Sequence, residues 1–273
     1  MINYRHNKKY CAIVMVLSIL TATVSAVRAD SQSMLDKEKR WQQQIVPSIV
    51  VGEALKLKAN GIEFLALFAE PSTEKAKGAV ILLHGGGVHP AWPDVIEPLR
   101  MELPDQGWYT LSLQMPILGN DANDAQYSPL FPEVPGRIQA GVDFLKSKGI
   151  KEIVLAGHSM GASMAGYYLI TNKDPAIRGF IIISNSFGAP GDQYLDNIEN
   201  FKKLKNIQVL DIHGSEDLKP VLTASALRKQ IGPKILGNQY HSFQIKGADH
   251  LYHEQTDELV RQITNWLNDN FAK

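Results

Sequence analysis

The 273-residue chain is predicted to form an α/β domain with a mainly parallel central sheet and helices on both faces. Short continuous apolar runs, such as residues 79–83 and 180–183, are typical of strands buried in a parallel sheet. These runs alternate with helical patterns, which implies right-handed crossovers between parallel strands. A further apolar run, residues 153–156, leads directly into Gly157-His158-Ser159-Met160-Gly161, which predicts a tight turn between a strand and a helix.

The first elements are predicted to form the edge of the sheet. Residues 30–44 are polar and charged, which predicts a short helix or a loose arm. Weak alternation in residues 49–51 and 54–57 is followed by Asn60-Gly61, a turn signal, and by a second strand at residues 62–68. These features together predict a β-hairpin.

The remaining elements alternate between strand and helix. Pro135 opens a helix that carries Ile138, Val142 and Leu145 on one face and is stopped by Gly149. The other predicted strands are residues 79–83, 108–113, 153–156, 180–183, 207–212 and 240–245. The other predicted helices are residues 94–103, 162–170, 223–230 and 257–270.

The N-terminal residues are predicted to be a signal peptide. A basic start at Arg5, Lys8 and Lys9 precedes an apolar run over residues 11–24, which has the length of a signal h-region. Small residues follow, and cleavage after Ala29 would leave residues 30–273 as a single domain in the periplasm or outside the cell. Cleavage after Ala26 is an alternative, and an uncleaved N-terminal anchor is another. The run is shorter than the roughly 20 apolar residues of a comfortable membrane span, so no stable span is expected after cleavage.

The charge of the chain argues against one class of partner, and its cysteine content argues against disulfide bonds. Residues 1–29 hold four of the 28 basic residues and no acidic one, so the mature chain would have 24 basic and 28 acidic residues, a formal charge of −4. This acidic excess argues against nucleic acid as a partner. Cys11, the one cysteine of the chain, would leave with the signal peptide, so stability is expected to come from core burial rather than disulfides.

The turn at Ser159 is predicted to be a nucleophile elbow. Gly157 and Gly161 flank the serine because so tight a turn admits only glycine-sized neighbours. The turn would expose the serine hydroxyl at the top of the sheet. It would also place the N–H of Met160 at the start of a helix, where partial positive charge favours an anion. A tight turn with an inert serine is the alternative, and the strand before it and the helix after it favour the elbow.

Four polar signals fall where predicted strands end, which is where ligands bind in such sheets: a His84-Gly85-Gly86-Gly87 run, Ser159, Asp217 and His250. Serine, acid and histidine follow one another in the order expected for a serine nucleophile on a strand–turn–helix. His250 would take the proton of Ser159 and return it to the leaving group. Asp217 would hold the imidazole in one tautomer. These three residues are the predicted catalytic residues.

A tetrahedral oxyanion needs fixed N–H donors. The N–H of Met160 is one predicted donor. The loop after residues 79–83 would supply the second from Gly86 or Gly87, because glycine lets the backbone approach the substrate.

Several residues compete for these roles. Glu216 is the main rival of Asp217 as the acid. Asp211 lies within a predicted strand, which favours a structural role, and Asp249 directly precedes the predicted base, so the two side chains would seldom face each other. His253 could act as the base only if the last loop is long. The chain has eight histidines but no His-x-x-x-His pattern or cysteine cluster, so neither a metal site nor a cofactor is predicted.

Segments around the site could contact substrate. His89 and Trp92 follow the glycine run and could touch an acyl or leaving group, or could simply pack. Residues 115–133 and 184–204 form long connections whose aromatic residues could pack the loops or bind substrate. Both connections are short for an inserted domain, so a small cap or none is expected.

The residues Gly157-His158-Ser159-Met160-Gly161, Asp217 and His250 resemble the α/β-hydrolase superfamily over most of the mature chain. The segments 82–93 and 107–116 resemble, more narrowly, a bacterial family of exported α/β-hydrolase-like proteins with no assigned function. The His-Gly-Gly-Gly run is also similar to esterases of the hormone-sensitive lipase type, although residues 89–93 do not continue in their usual way. These resemblances imply the α/β-hydrolase fold and an exported location, and they name no substrate.

The residues therefore predict a serine hydrolase of the cell envelope that cleaves a small carboxylic ester through an acyl-enzyme. Thioester or peptide hydrolysis would use the same residues. The alternative from another class is a periplasmic binding or envelope protein that keeps the fold but does little chemistry.

Overall fold

The computed structural model describes residue 1 and residues 33–271; the predicted signal peptide lies, apart from Met1, outside the described residues. The strands are β1 (Glu53–Ala59), β2 (Ile62–Ala69), β3 (Gly78–Leu83), β4 (Trp108–Leu113), β5 (Ile153–His158), β6 (Ile177–Ile183), β7 (Gln208–Gly214) and β8 (Tyr240–Ile245). The helices are α1 (Leu35–Ile45), α2 (Ile96–Glu102), α3 (Asp124–Tyr127), α4 (Val134–Ser147), α5 (Met160–Thr171), α6 (Asn197–Lys202), α7 (Lys219–Leu236) and α8 (Thr256–Phe271). Short 3-10 turns lie at Val46–Ser48, Leu103–Gln106, Ser128–Glu133 and Gly237–Gln239.

The eight strands form one sheet in the order β1-β2-β4-β3-β5-β6-β7-β8. The pairs from β4 to β8 are all parallel, whereas β1 with β2 and β2 with β4 are antiparallel. The prediction of a mainly parallel sheet is therefore confirmed. In such a sheet the carboxyl ends of the parallel strands lie along one edge, which is where the predicted site residues fall.

The antiparallel edge is the predicted hairpin. Asn60 and Gly61 form a two-residue turn with φ values of 50° and 79°, and Ala59 pairs directly with Ile62. Positive φ at both turn residues is what a type I′ turn requires, and asparagine followed by glycine tolerates it best. Residues 49–51, which were predicted to be part of the first strand, lie before β1.

The sheet is covered on both faces. One core layer packs α4, α5, α6 and α7 against the sheet through residues such as Ile138, Met164 and Phe201. The other layer packs α2 and α8 through residues such as Leu99 and Leu267. Because both faces of the central strands are covered, β3 and β5 are buried throughout and read as continuous apolar runs.

Helix α1 packs on the outer part of the sheet, beside β2. Ile45 forms a small core with Leu65 and Leu67. Glu38 makes a bidentate ion pair with Arg137 of α4, with N–O distances of 2.9 and 3.0 Å. Both partners are buried, so this ion pair fixes α1 firmly to the body of the domain.

The segments that follow β4 and β6 do not form a cap domain within residues 33–271. The first contains α3 and a 3-10 turn, and the second contains α6. None of the helices in the described part of the chain is both long and apolar enough to cross a membrane.

A buried ion pair ties α7 to β7. The Arg228 guanidinium donates to both carboxylate oxygens of Asp211 at 2.8 and 3.0 Å, and the Tyr240 hydroxyl donates to the same carboxylate. Arg228 and Asp211 are 1% and 0% exposed. The structural role predicted for Asp211 fits this arrangement.

Replacing Arg228 by methionine should lower the free energy of unfolding by about 3–5 kcal/mol, because it leaves the Asp211 carboxylate buried without its cation. Urea unfolding followed by circular dichroism would measure this loss. Arg261→Met is the matched control, since Arg261 pairs with Glu258 at the surface and its loss should cost about 0–1 kcal/mol. Equal losses in the two variants would contradict the prediction.

Candidate active site

Ser159 sits on the strained turn that the sequence predicts. It has φ 53° and ψ −119°, a conformation that non-glycine residues rarely adopt, and α5 begins at the next residue. A Cβ added at Gly161 would lie 2.1 Å from the carbonyl oxygen of Leu83, and one added at Gly157 would lie 2.4 Å from the amide nitrogen of Ala162. Both flanking glycines are therefore required by space, as predicted.

Hydrogen bonds to Ile183 and Asn185 help to hold the backbone of the serine. Its N–H donates to the carbonyl of Ile183 at 2.9 Å, and its carbonyl accepts from the side-chain amide of Asn185 at 3.1 Å. The Asn185 amide also donates to the hydroxyl of Ser163 in α5 at 3.0 Å. The end of β6 thus supports the turn from behind, while the side chain of Ser159 is only half-buried.

Asp217 and His250 meet at the carboxyl end of the sheet. Nδ1 of His250 lies 2.7 Å from Oδ1 of Asp217. Oδ1 also accepts the N–H of Leu218 at 2.7 Å, and Oδ2 accepts the hydroxyl of Ser184. The Ser184 hydroxyl lies 2.8 Å from that of Tyr252, which is fully buried. The carboxylate is thus held from several sides.

These donors decide the charge of Asp217. Burial acts to raise its pKa, but the hydrogen bonds from His250, Ser184 and Leu218 outweigh burial, so the pKa lies below its usual value. Asp217 is therefore an ionised, oriented acceptor for the Nδ1–H of His250 at neutral pH. Sequence reasoning missed Ser184 and Tyr252.

The rival residues lie elsewhere. The structure leaves Glu216 exposed, and His250 pairs with Asp217 instead of with Glu216. His253 is exposed and pairs with Asp249 at 2.7 Å. Among the acids that competed for the role, the structure brings Asp217 to the histidine.

His158 links the elbow to His250. Its Nε2 lies 3.0 Å from the carbonyl oxygen of His250, and the two imidazole rings are 4.9 Å apart between centroids. The residue before the serine therefore fixes the backbone of the predicted base. Within residues 33–271 no hydrogen bond joins the Ser159 hydroxyl to His250.

The glycine loop after β3 is anchored by His84. Its Nε2 accepts the N–H of Met115 at 3.0 Å, so Nδ1 carries the proton and donates to the carbonyl of Gly85 at 2.8 Å. A Cβ added at Gly85 would lie 3.6 Å from the Cβ of Ser159, so the loop passes directly beside the serine. The N–H of Gly86 makes no hydrogen bond to any described residue, and Gly86 is exposed.

Of the two loop glycines predicted as oxyanion donors, Gly87 already has a partner for its N–H. This N–H donates to the hydroxyl oxygen of Tyr127 at 2.6 Å, so an oxyanion would have to compete with that bond. The positive φ of Gly87, 73°, turns the chain at this point. The N–H of Gly86 thus stays available as a predicted donor, together with the N–H of Met160 at the start of α5.

His89 and Trp92 lie in an aromatic column. His89 packs edge-on against Trp41 of α1 at 5.1 Å and against Trp92 at 5.4 Å between ring centroids. Nδ1 of His89 is buried and without a partner in residues 33–271, and burial lowers the pKa of this imidazole. The structure gives both residues a packing role, and a contact with substrate stays a prediction.

The buried histidines should make stability depend on pH. Burial lowers the pKa of His84 to about 3 and, together with the nearby His250, that of His158 to about 4. Both are neutral in the fold, whereas an unfolded chain binds their protons below about pH 6.5. The stability they provide is therefore complete above that pH and is lost as the pH falls toward the folded-state values.

The free energy of unfolding should accordingly drop by about 3 kcal/mol between pH 6.5 and pH 5. Urea titrations at several pH values would measure this drop. His84→Asn removes one group that takes up a proton on unfolding, so the free energy of unfolding should change less steeply with pH, by about 1.4 kcal/mol per pH unit. A stability that stays constant over this range would contradict the prediction.

The comparisons with known proteins place the chain in a family. It matches the family described as "Protein of unknown function (DUF3530)" over residues 20–129 and 120–269, and it belongs to that family. It is 30% identical over 107 residues to a Mycoplasma genitalium protein named "Putative esterase/lipase 3". That alignment covers 39% of this chain and 36% of the relative, so only about a third of the relative is matched.

Solved structures share the fold. Est1E from Butyrivibrio proteoclasticus superposes with a TM-score of 0.60 at 20% identity, covering 81% of this chain and 99% of Est1E; a second Est1E structure holds ferulic acid. The esterase Pf2001 from Pyrococcus furiosus gives a TM-score of 0.62 at 16% identity, covering 80% and 89%. A serine hydrolase from Xanthomonas campestris described as "without lid" gives 0.59 at 14% identity, covering 82% and 97%. The predicted α/β-hydrolase fold is confirmed.

Proposed function

We propose that the protein is a serine hydrolase that cleaves carboxylic esters through an acyl-enzyme. The observation that carries the proposal is the 2.7 Å contact between His250 Nδ1 and Asp217 Oδ1, made beside the strained turn of Ser159. A buried carboxylate that orients a histidine near a half-buried serine is the arrangement that activates a hydroxyl nucleophile. Esterase neighbours of the same fold add support.

In the first half of the reaction, Ser159 Oγ attacks the acyl carbon while His250 Nε2 takes the hydroxyl proton. The new bond turns the carbonyl oxygen into an oxyanion, which the N–H groups of Met160 and Gly86 would stabilise. His250 then gives its proton to the leaving alcohol as the ester bond breaks. In the second half, His250 takes a proton from a water that attacks the acyl carbon of the acyl-enzyme. As the bond from this carbon to Ser159 Oγ breaks, His250 returns the proton to Oγ and the acid leaves.

The separation of Ser159 from His250 is compatible with this role. Catalytic hydrogen bonds are often long or poorly aligned in ligand-free sites and shorten when the substrate arrives. Asp217 would keep Nδ1 protonated throughout, so Nε2 remains free to accept the serine proton.

We place the enzyme outside the cytoplasm. The basic start, the apolar run over residues 11–24 and the small residues before Asp30 support export. The expected product after cleavage would begin at Asp30, and the N-terminal sequence of the protein recovered from the periplasm of an expressing cell would test this.

Hydrolysis of a series of p-nitrophenyl esters, from acetate to palmitate, tests the proposed activity. Methyl ferulate should be tested as a further substrate, because a structure of the neighbour Est1E contains bound ferulic acid. Turnover is expected together with covalent labelling by a fluorophosphonate probe, and the preferred chain length would size the acyl pocket. A folded protein with neither turnover nor labelling would favour the alternative of a non-catalytic envelope protein.

A further inference from the structure

We infer that Lys37 and Tyr127 are positioning residues that hold the oxyanion loop, residues 84–89, so that the N–H of Gly86 faces the reacting carbonyl. The inference rests on the proposed function, because it concerns the second oxyanion donor of that reaction. Neither residue touches the reacting atoms. Both form hydrogen bonds to the backbone of the loop.

Lys37 reaches the loop from helix α1. Its ammonium group donates to the carbonyls of Gly87 and Leu118, each at 3.1 Å, and to the side-chain oxygen of Asn120 at 2.6 Å. These three bonds use all three of its N–H donors. The ammonium group also lies 4.6 Å from the centre of the Trp41 ring. A lysine whose donors are all engaged by backbone and amide oxygens is a structural cation rather than a solvated surface charge.

Tyr127 binds the same two residues, Gly87 and Leu118, through their N–H groups. Its hydroxyl oxygen accepts the N–H of Gly87 at 2.6 Å and that of Leu118 at 3.1 Å. The tyrosine is 1% exposed, and its ring lies where a Cβ on Gly86 would come within 3.4 Å of it. The loop after β3 and the loop after β4 are therefore joined at one point by two side chains.

His84, Tyr127 and Lys37 together fix the successive peptide groups around Gly86. Peptide groups are planar and trans, so a carbonyl and the N–H of the next residue point in opposite directions. The carbonyl of Gly85 is bound by His84, which turns the Gly86 N–H away from that imidazole. On the other side of Gly86, the Gly87 N–H is bound by Tyr127 and the Gly87 carbonyl by Lys37. The peptides on both sides of Gly86 are thereby pinned.

Such pinning is needed because three successive glycines are conformationally free. An oxyanion donor acts only when it is already in place as charge develops, and a displacement of about 1 Å can cost about 100-fold in rate. Helix α1 and α3 thus supply, from distant parts of the sequence, the rigidity that the glycine loop lacks.

The test uses the full chain with Lys37→Met and Tyr127→Phe. Each variant removes the polar grip and keeps most of the side-chain volume. We expect kcat/KM for the best p-nitrophenyl ester to fall about 10- to 100-fold, mostly in kcat. The Ki of a trifluoromethyl ketone analogue of that ester, whose adduct with serine carries an oxyanion, should rise by a similar factor. A merely structural role would not make the two quantities move together.

Matched control variants separate the loss of the hydrogen bonds to the oxyanion loop from the loss of any lysine or tyrosine. Lys39→Met removes an exposed lysine from the same helix, and Tyr168→Phe removes a buried tyrosine hydroxyl that is bonded to Gln139. Neither control should change kcat/KM or Ki by more than about threefold. Lys37→Arg keeps a cation with several donors and should recover part of the activity lost in Lys37→Met. If Tyr127→Phe fails to fold, the comparison of Lys37→Arg with Lys37→Met still tests the positioning role.

The possible failures are distinguishable. Wild-type turnover with unchanged kcat/KM and Ki in Lys37→Met and Tyr127→Phe would overturn this inference alone. An equal fall in the two control variants would also overturn it. A wild-type protein without Ser159-dependent turnover would refute the proposed function, and the inference would fall with it.

Discussion

Replacement of Ser159 by alanine is expected to lower kcat for ester hydrolysis by about 10⁴- to 10⁶-fold. The variant lacks the oxygen that would form the acyl-enzyme, so only binding and the oxyanion donors remain to accelerate direct attack by water. The steady-state rate with the best p-nitrophenyl ester, corrected for spontaneous hydrolysis, measures the loss. Labelling by a fluorophosphonate should disappear in the same variant.

Ser147→Ala is the matched control, because Ser147 is an exposed serine at the end of α4 whose hydroxyl donates to the carbonyl of Phe144. Its rate and labelling should equal those of the wild type. The alanine side chain should fit the elbow, although a positive φ of 53° is strained for either residue. Retention of turnover in a folded Ser159→Ala protein would exclude the serine mechanism.

The parts of the fold that local sequence determines could be predicted well. The type I′ turn at Asn60-Gly61 and the strand into Ser159 depend on neighbours within a few residues, and both occur as predicted. Helix α7 is longer than the predicted 223–230, since it runs from Lys219 to Leu236. It continues past Gly232 and Pro233, which normally end a helix, because its tertiary contacts outweigh their low propensity: Gly232 packs against the Tyr240 ring.

The candidate site likewise contains residues that the sequence could predict and residues that only the folded structure reveals. Ser159, Asp217 and His250 were predicted because each ends a strand, and parallel strands end at one edge of a sheet. The choice between adjacent acids at 216 and 217 needs side-chain directions, which the turn after β7 sets. Sequence distance explains what was missed: Lys37 lies 50 residues from Gly87, and Tyr127 lies 40 residues from it. A lysine in an amphipathic helix looks like an ordinary surface residue until its acceptors are known.

Replacement of Asp217 by alanine should lower kcat by about 10⁴-fold, with little change in KM. The variant loses the acceptor that holds Nδ1–H of His250 and the negative charge that stabilises the imidazolium. Glu216→Ala is the matched control, because this neighbouring carboxylate is exposed and should contribute less than about threefold. If Glu216→Ala caused the larger loss, the assignment of the acid would be wrong.

Asp217→Asn separates orientation from charge. The N–H of Leu218 points at Oδ1, so the amide oxygen must occupy that position and can still accept from His250. The amide nitrogen would then take the place of Oδ2 and donate to the hydroxyl oxygen of Ser184. The Ser184 hydroxyl can in turn donate a hydrogen bond to the hydroxyl oxygen of Tyr252. The histidine tautomer is therefore preserved while the charge is lost. We expect kcat to fall by less than in Asp217→Ala, about 10²- to 10³-fold, and equal losses in the two variants would mean that the charge of Asp217 accounts for its whole effect.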